Sequence, residues 1–150
     1  MPFKLSDRSL KKLEGVNAML TRCVQDAILK TTVDFGVTEG LRSQERQQQL
    51  YDQKRSQTLK SKHIDGNAID LVAYIGSEIC WEIGVYDEIA DAMKVSAKAI
   101  GLPLRWGAAW HKNLTDHEGT AEDLMNSYID LRRSQNRRPF IDCPHFETAF

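Results

Sequence analysis

The sequence lacks an excess of charge of either sign, and this balance narrows the classes of protein to which the chain can belong. It contains 20 basic and 21 acidic residues, with a formal net charge of -1. A protein whose whole surface binds nucleic acid would carry a clear basic excess. We therefore expect no nucleic-acid partner. The basic segments KRSQTLKSK and RRSQNRR leave DNA binding open as an alternative, which strongly salt-dependent affinity would reveal.

Cysteine is scarce, and its spacing excludes two structural classes. Cys23, Cys80 and Cys143 are odd in number, lie far apart and form no CxxC pair. This pattern indicates neither a disulfide framework nor a cysteine-rich zinc knuckle. It is typical of a chain that folds in a reducing cytoplasm.

Long hydrophobic runs are also missing. The N-terminal segment MPFKLSDRSLKKLEG has no apolar core like that of a signal peptide, and no stretch approaches the ~20 apolar residues of a membrane span. We therefore expect a cytoplasmic location without stable membrane insertion. If the protein acts beyond the membrane, another agent must release it.

The chain shows no internal repeat, no linker rich in glycine and proline, and no low-complexity segment. Its 150 residues therefore predict a single domain over residues 1–150. A domain of this size buries roughly 68 to 70% of its unfolded surface, so it needs no disulfides for stability. We expect a monomer.

Hydrophobic periodicity and capping residues predict helices and strands in mixed order. The predicted helices are residues 9–30, SQERQQQLYDQ capped by Ser43, VYDEIADAMKVSAKAI closed by Gly101, and residues 120–133 capped by Thr120. The predicted strands are FGVTEG, NAIDLVAYI and PLRW, and RRPFIDCPHFE is expected to be extended. KRSQTLKSK is predicted to be an exposed loop and IGSEICWEIG a connection. This order favours an α+β fold.

The segment SKHIDGNAID places a histidine and an aspartate seven positions apart beside the most strand-like run in the chain. Side chains alternate between the faces of a strand, so His63 and Asp70 would lie on opposite faces of a continuous strand. Gly66 stands between an aspartate and an asparagine, and this turn chemistry can break the backbone. A buried Asp70 would be costly without a partner. The segment therefore predicts a binding site.

A second acidic and histidine pair lies near the end of the chain. Asp142 and His145 are three residues apart, and Pro144 between them predicts an irregular backbone. A catalytic zinc site uses three nitrogen or oxygen ligands and leaves a position for water, whose pKa falls to about 7. His63, Asp70 and His145 could supply that set, with Asp142 as general base.

The alternative is that each histidine has only a structural role, with its hydrogen bonds made within the protein. The spacing of the residues alone does not exclude this. His111 and His117 lie in the polar loop WHKNLTDHEG, where solvent exposure is the expected state. Trp106 is expected in the core.

Several segments together resemble one family. SKHIDGNAID resembles the SxHxxGxAxD motif of the LAS-type zinc peptidases, which include D-alanyl-D-alanine carboxypeptidases, dipeptidases and the L-alanyl-D-glutamate endopeptidases of phage lysis. DCPHFE resembles the second family motif, EGLRSQERQQQLY the segment with the substrate arginine, and RWG at 105–107 the strand before the active-site loop. The motifs span residues 39–147 in the family's order. RWGAAWH departs from the glycine pair and acidic residue that many relatives carry there.

The resemblance implies a small antiparallel sheet flanked by helices, with a single zinc site on the sheet. It implies that His63, Asp70 and His145 bind the zinc ion. It also implies that Asp142 is the catalytic acid and base.

Further roles implied by the resemblance concern the substrate. Arg42 would steady the scissile carbonyl or a substrate carboxylate, and Ser61 would hydrogen-bond the substrate near the metal. Trp110 lies in a polar loop and could line the cleft. Glu147 could orient His145, and an exposed ion pair is the alternative for it.

The expected function is that of a phage-type endolysin that hydrolyses the L-alanyl-D-glutamate bond in the stem peptide of peptidoglycan. It would accumulate in the host cytoplasm and reach the wall after the membrane is opened. Two alternatives remain at this point. One is a D-Ala-D-Ala carboxypeptidase of the same family, and the other is a non-catalytic, zinc-dependent module that binds the cell wall.

Overall fold

The computed structural model describes residues 2–56 and 58–150, and within these residues the chain forms five α-helices and five strands. The helices are α1 Asp7–Lys12, α2 Ala18–Lys30, α3 Gln44–Asp52, α4 Ile83–Ile100 and α5 Ala121–Ser134. The strands are β1 Asp34–Glu39, β2 Ala68–Ile75, β3 Glu78–Cys80, β4 Leu104–Trp106 and β5 His145–Thr148. Ser43 and Thr120 cap α3 and α5 through their side chains, and Gly101 ends α4 in the left-handed conformation, as predicted.

All strand pairs in the sheet are antiparallel. The order is β1-β2-β5-β4, and β3 pairs with the distal half of β2. Helices flank this sheet, which confirms the predicted α+β class. The odd-numbered residues of β2, Ile69, Leu71 and Ala73, are buried in the core that α2 and α4 share. The even-numbered residues therefore face the other side, where Asp70 lies.

The prediction of one continuous helix over residues 9–30 is wrong. The chain leaves α1 at Leu13 and enters α2 after Asn17, because Gly15 adopts a positive φ of 81°. The backbone there packs on a distant turn, where a Cβ on Gly66 would lie 2.5 Å from the Gly15 oxygen. Leu13 and Val16 are buried on either side of the break. The helical spacing of apolar residues therefore continues in the sequence across Gly15, although contact with the turn at Gly66 breaks the helix there.

The prediction that IGSEICWEIG is a connection is also wrong. Ile75 pairs with Glu78 across a two-residue turn that begins at Gly76, and β3 follows as a short strand. Gly76 has a φ of 66°, which a residue without a Cβ adopts at little cost. The hairpin extends the sheet away from the candidate site.

Residues 54–56 and 58–62 of the segment predicted as a loop form neither helix nor strand, and most are exposed. Gln57 lies outside the described residues. Across residues 2–56 and 58–150, no helix has both the length and the apolar composition that crossing a bilayer requires.

Candidate active site

Strand register brings Asp70 and His145 together on one face of the sheet. The two residues are directly opposite in the β2–β5 pair, so their side chains point the same way. On the other side of β2, Glu39 is opposite Asp70 after an irregularity in β1. Glu39, Asp70 and His145 thus form one row across three strands.

His63 reaches the same face because the chain turns between it and β2. Gly66 has a φ of 74°, and the Ser61 hydroxyl oxygen accepts a hydrogen bond from the His63 amide at 3.2 Å. The predicted backbone break at Gly66 is confirmed. The turn carries His63 into a buried position over the start of β2, where its side chain is 2% exposed.

The turn before β5 positions both Asp142 and His145. The His145 amide donates to the Asp142 carbonyl at 3.1 Å, and the Asp142 amide donates to the Gly107 carbonyl at 2.8 Å. A Cβ on Gly107 would lie 2.2 Å from the Asp142 oxygen, so this contact requires glycine. The Trp106 indole donates to the carbonyl of Cys143 at 2.8 Å. The segment RWG therefore supports the turn that bears the site residues.

The three residues predicted as metal ligands converge. One ligand atom from each of His63, Asp70 and His145 lies within 4.8 Å of the other two. His63 Nε2 and His145 Nδ1 are each 3.3 Å from Asp70 Oδ1. The remaining ring nitrogens are engaged elsewhere: His63 Nδ1 donates to the Gly40 carbonyl at 2.9 Å and His145 Nε2 contacts Glu147 Oε1 at 2.8 Å.

This arrangement fits a cation. His63 Nε2 is buried and makes no hydrogen bond of adequate geometry with any described residue, which would be costly for a structural histidine. Because Gly40 accepts from Nδ1, the neutral form of His63 has its lone pair on Nε2, the nitrogen that lies 3.3 Å from Asp70 Oδ1. Metal-binding histidines are commonly oriented in this way, with the second nitrogen donating to a carbonyl or carboxylate.

The charges of the cluster are coupled. Burial alone would raise the pKa of Asp70, but the imidazoles of His145 and His63 lower it well below its usual range. Burial alone would lower the pKa of His145, but hydrogen bonds with Asp70 and Glu147 raise it to about 9. The carboxylates therefore favour a positive charge at His145. A bound cation would replace a proton as the positive charge between them.

Arg42 lies beside this cluster and is held by two acceptors. Its Nε donates to Glu39 Oε1 and its Nη1 donates to Gln47 Oε1, both at 2.7 Å. Its Nη2 is 3.7 Å from Asp70 Oδ2. The guanidinium is thus fixed at the edge of the cluster, and Arg42 lines the cavity.

Gln47 is a site residue that the sequence prediction missed. It is fully buried, and its amide nitrogen also donates to Ser56 Oγ at 2.9 Å and to the Thr58 carbonyl. It therefore joins Arg42 to the loop that lines the cavity. A usable signal was its position three residues before the buried Leu50, on one face of α3.

Asp142 lines the cavity that contains the cluster, a cavity of about 710 Å³. Burial and the charge of Asp70 raise the pKa of Asp142, while His145, His63 and Arg42 oppose that rise. A carboxyl group in this setting can exchange protons at a pH closer to neutrality than an exposed aspartate can.

Aromatic side chains form another part of the cavity wall. The Trp110 ring lies 5.4 Å from that of His145 and 6.0 Å from that of Phe140. Its indole nitrogen donates to the Phe140 carbonyl at 3.1 Å, which fixes the ring in place. Tyr128 and Ser61 also line the cavity.

The two other histidines are absent from this cavity. His111 contacts Ser127 at 2.9 Å and is exposed, as expected. His117 contacts Asp123 at 3.0 Å and is only partly exposed.

The comparisons with known proteins agree with this geometry. A family model described as phage L-alanyl-D-glutamate peptidase matches residues 1–149. The L-alanyl-D-glutamate peptidase of Escherichia phage T5 is 30% identical over 122 residues, or 79% of this chain and 89% of that protein. The crystal structure of the Serratia marcescens L-Ala D-Glu endopeptidase ChiX matches with a TM-score of 0.74 and 30% identity, covering 98% of this chain and 91% of its own. The chain therefore belongs to the phage L-alanyl-D-glutamate peptidase family.

Proposed function

We propose that this chain is a zinc-dependent endopeptidase that hydrolyses the L-alanyl-D-glutamate bond of peptidoglycan stem peptides. Its family membership makes it a peptidase, and both named relatives carry this bond specificity in their names. The observation that supports the metal dependence is the convergence of His63 Nε2, Asp70 Oδ1 and His145 Nδ1. Two nitrogens and one oxygen are the ligand types of a catalytic zinc site.

His63, Asp70 and His145 would hold the zinc ion. Zinc in a three-ligand site supplies Lewis acidity, which polarises a carbonyl group and makes water a stronger acid. Glu147 and the Gly40 carbonyl keep the two imidazoles in the required orientation through the second ring nitrogens. The chain therefore presents two proposed ligands on the sheet and the third, His63, on the turn before β2.

Asp142 is the proposed general base. It lines the cavity beside the three ligands, and its raised pKa favours proton exchange. Asp142 would take the proton from the attacking water and return it to the leaving amine. Such a positioned group typically contributes ~10²–10⁴ in rate.

Arg42 and the cavity wall would bind the substrate. Glu39 and Gln47 fix the Arg42 guanidinium, which leaves Nη2 able to donate to an oxygen that gains negative charge during hydrolysis. The Ser61 oxygen accepts from the His63 amide, so its hydroxyl proton can donate to the substrate. Trp110 would contact the peptide beside His145.

The D-Ala-D-Ala carboxypeptidase alternative has less support, since the names of both relatives specify the L-alanine and D-glutamate bond. A wall-binding module without activity is disfavoured by Asp142, because a structural zinc site has no use for a general base. Action on the wall after the membrane is opened, as a monomer, remains part of the proposal.

The test combines metal analysis with digestion of purified peptidoglycan. We expect one zinc ion per chain, loss of hydrolysis with a chelator, and recovery on adding zinc. Mass analysis should show new N-terminal D-glutamate and intact D-Ala-D-Ala ends. Release of D-alanine would instead identify a carboxypeptidase, and activity after complete metal removal would refute zinc dependence.

A further inference from the structure

A second cavity adjoins the one that contains the metal cluster. It has a volume of about 520 Å³ and shares a wall formed by Glu39, Arg42 and Arg46 with the first cavity. Lys11 and Lys12, at the end of α1, line its other side. We call this space the α1–α3 cavity. A peptide that passes the metal cluster along Arg42 would enter it.

The α1–α3 cavity is lined by basic side chains that form no salt bridge with any described residue. Glu39 neutralises Arg42 through the 2.7 Å ion pair. Lys11, Lys12 and Arg46 form no salt bridge with any residue in the described part of the chain. The carboxylate of Glu14 is the other acidic group in the lining. The cavity is therefore cationic although the whole chain has a net charge of -1.

The backbone that bears these cations is held at a fixed position relative to the metal cluster. A Cβ on Gly40 would lie 2.1 Å from the Lys12 carbonyl oxygen, so the end of α1 packs directly on Gly40. The carbonyl of the same Gly40 accepts from His63 Nδ1. Arg46 lies in the first turn of α3, where its amide donates to the Ser43 cap at 3.0 Å. Gly40 thus contacts both the backbone of Lys12 and the proposed metal ligand His63.

The proposed substrate is charged on one side of its scissile bond. D-glutamate has two carboxyl groups, and whichever one continues the peptide, the other remains free beside the amine that leaves. The alanine on the acyl side contributes no charge. The aromatic wall of Trp110, Tyr128 and Phe140 lies beside His145. Arg132, which lines the same cavity, donates to the Arg138 carbonyl. Arg55, Lys60 and Lys62 also line the cavity with the metal cluster, and Lys62 pairs there with Glu147. The free carboxylate of the substrate is complementary in charge to the cationic α1–α3 cavity.

We propose that Lys11, Lys12 and Arg46 form a subsite for the carboxylates of the peptide on the amine side of the scissile bond. This inference rests on the proposed function. The D-glutamyl segment then points into the α1–α3 cavity, and the alanyl segment lies against Trp110. The subsite selects stem peptides whose carboxylates are free over those in which they are amidated. Charge-assisted contacts of this kind correspond to a preference of about tenfold.

The test uses two muropeptides that contain the L-alanyl-D-glutamate bond, one with free carboxylates beyond that bond and one with carboxamides in their place. For the wild-type protein, kcat/KM should be about tenfold higher with free carboxylates. In the triple variant Lys11→Gln, Lys12→Gln, Arg46→Gln, the preference should disappear, mainly through KM. The control carries the same charge change at exposed residues outside both cavities: Arg22→Gln, Lys98→Gln, Arg133→Gln. It should keep the wild-type preference.

A second measurement does not depend on the variants. Raising the salt concentration from about 0.05 M to about 0.5 M should reduce the wild-type preference, since exposed cations are screened. A preference that survives in the triple variant, or that salt leaves unchanged, would overturn the subsite while both muropeptides are still cleaved. If the wild-type protein cleaves neither muropeptide, the proposed function fails and the subsite fails with it.

Discussion

Asp70 and Asp87 are both withdrawn from solvent, and their surroundings have opposite effects on their charge. Asp70 lies between two imidazoles, which hold its pKa well below the usual range despite burial. Asp87, in α4, is 7% exposed, and its Oδ1 has no hydrogen-bond partner among the described residues. Burial and the charges of Glu122, Asp91 and Glu88 raise the pKa of Asp87 to about 6.

The difference shows what distinguishes a candidate metal site from a buried acid. Both carboxylates lose hydration, but Asp70 gains two nitrogen neighbours that are themselves oriented by further partners. Asp87 has acidic neighbours, so a proton is the simplest way to reduce its charge. The candidate metal site is thus indicated by the convergence of a carboxylate with two imidazoles, and not by the burial of the carboxylate.

Removing a ligand from the Asp70 cluster should have the largest effect. His63→Ala deletes one of three proposed ligands, so we expect loss of bound zinc and of detectable wall hydrolysis. Metal analysis of the purified variant, beside His111→Ala as a control outside the cavity, measures the effect. A His63→Ala protein that retains one zinc ion per chain would show that the ligand set is wrong.

Removing the proposed general base should separate chemistry from metal binding. Asp142→Asn should retain zinc but lose ~10²–10⁴ in kcat, because the proton of the attacking water has no acceptor. Zinc content and single-substrate kinetics on the same preparation test this. Turnover close to the wild-type value would remove Asp142 from the mechanism.

Weakening the orientation of His145 should have a smaller effect. Glu147→Gln keeps the shape of the side chain but replaces the carboxylate that contacts His145 Nε2 at 2.8 Å. We expect zinc affinity to fall by about 10–100-fold, with activity restored at higher zinc concentration. Zinc titration followed by activity measures the shift. An unchanged affinity would assign Glu147 to its ion pair with Lys62 at 3.5 Å instead.

Local signals predicted most elements of the fold correctly. Ser43 and Thr120 cap helices because a side-chain oxygen can satisfy an amide two or three residues later, and this requires no distant contact. The break at Gly15 could not be predicted in the same way. It depends on packing against Gly66, which is 51 positions further along the sequence. The periodicity of apolar residues indicates which face of a helix is buried, but it does not show whether the helix continues without a break.

Residue chemistry and the family motif both indicate the candidate site. The resemblance named His63, Asp70 and His145, but their convergence depends on register between strands that the sequence alone does not give. Gln47 shows the limit of motif reasoning. It lies among several glutamines in α3, and although its spacing from Leu50 indicates burial, only the structure reveals its contact with Arg42.

Asp87→Asn tests the other member of the comparison and should leave activity unchanged. The folded-state pKa of Asp87 is raised from 3.8 to about 6, so its ionisation destabilises the folded state. Below pH 4 both states are protonated and the variant should gain nothing. Between pH 4 and 6 the unfolded state ionises while the folded state stays protonated, so the wild-type protein loses stability and the variant does not. Above pH 6 the difference reaches its full size.

The expected gain at pH 7.5 is at most about 3 kcal/mol, which is the free-energy equivalent of the pKa shift. Thermal unfolding of both proteins at several pH values measures the difference in their free energy of unfolding. The pH dependence that comes from all other ionisable groups is the same in both proteins and cancels. Asp52→Asn, at an exposed position, serves as the control and should show no such trend. If Asp87→Asn were less stable at pH 7.5, Asp87 would have a stabilising partner when ionised, and its contrast with Asp70 would no longer hold.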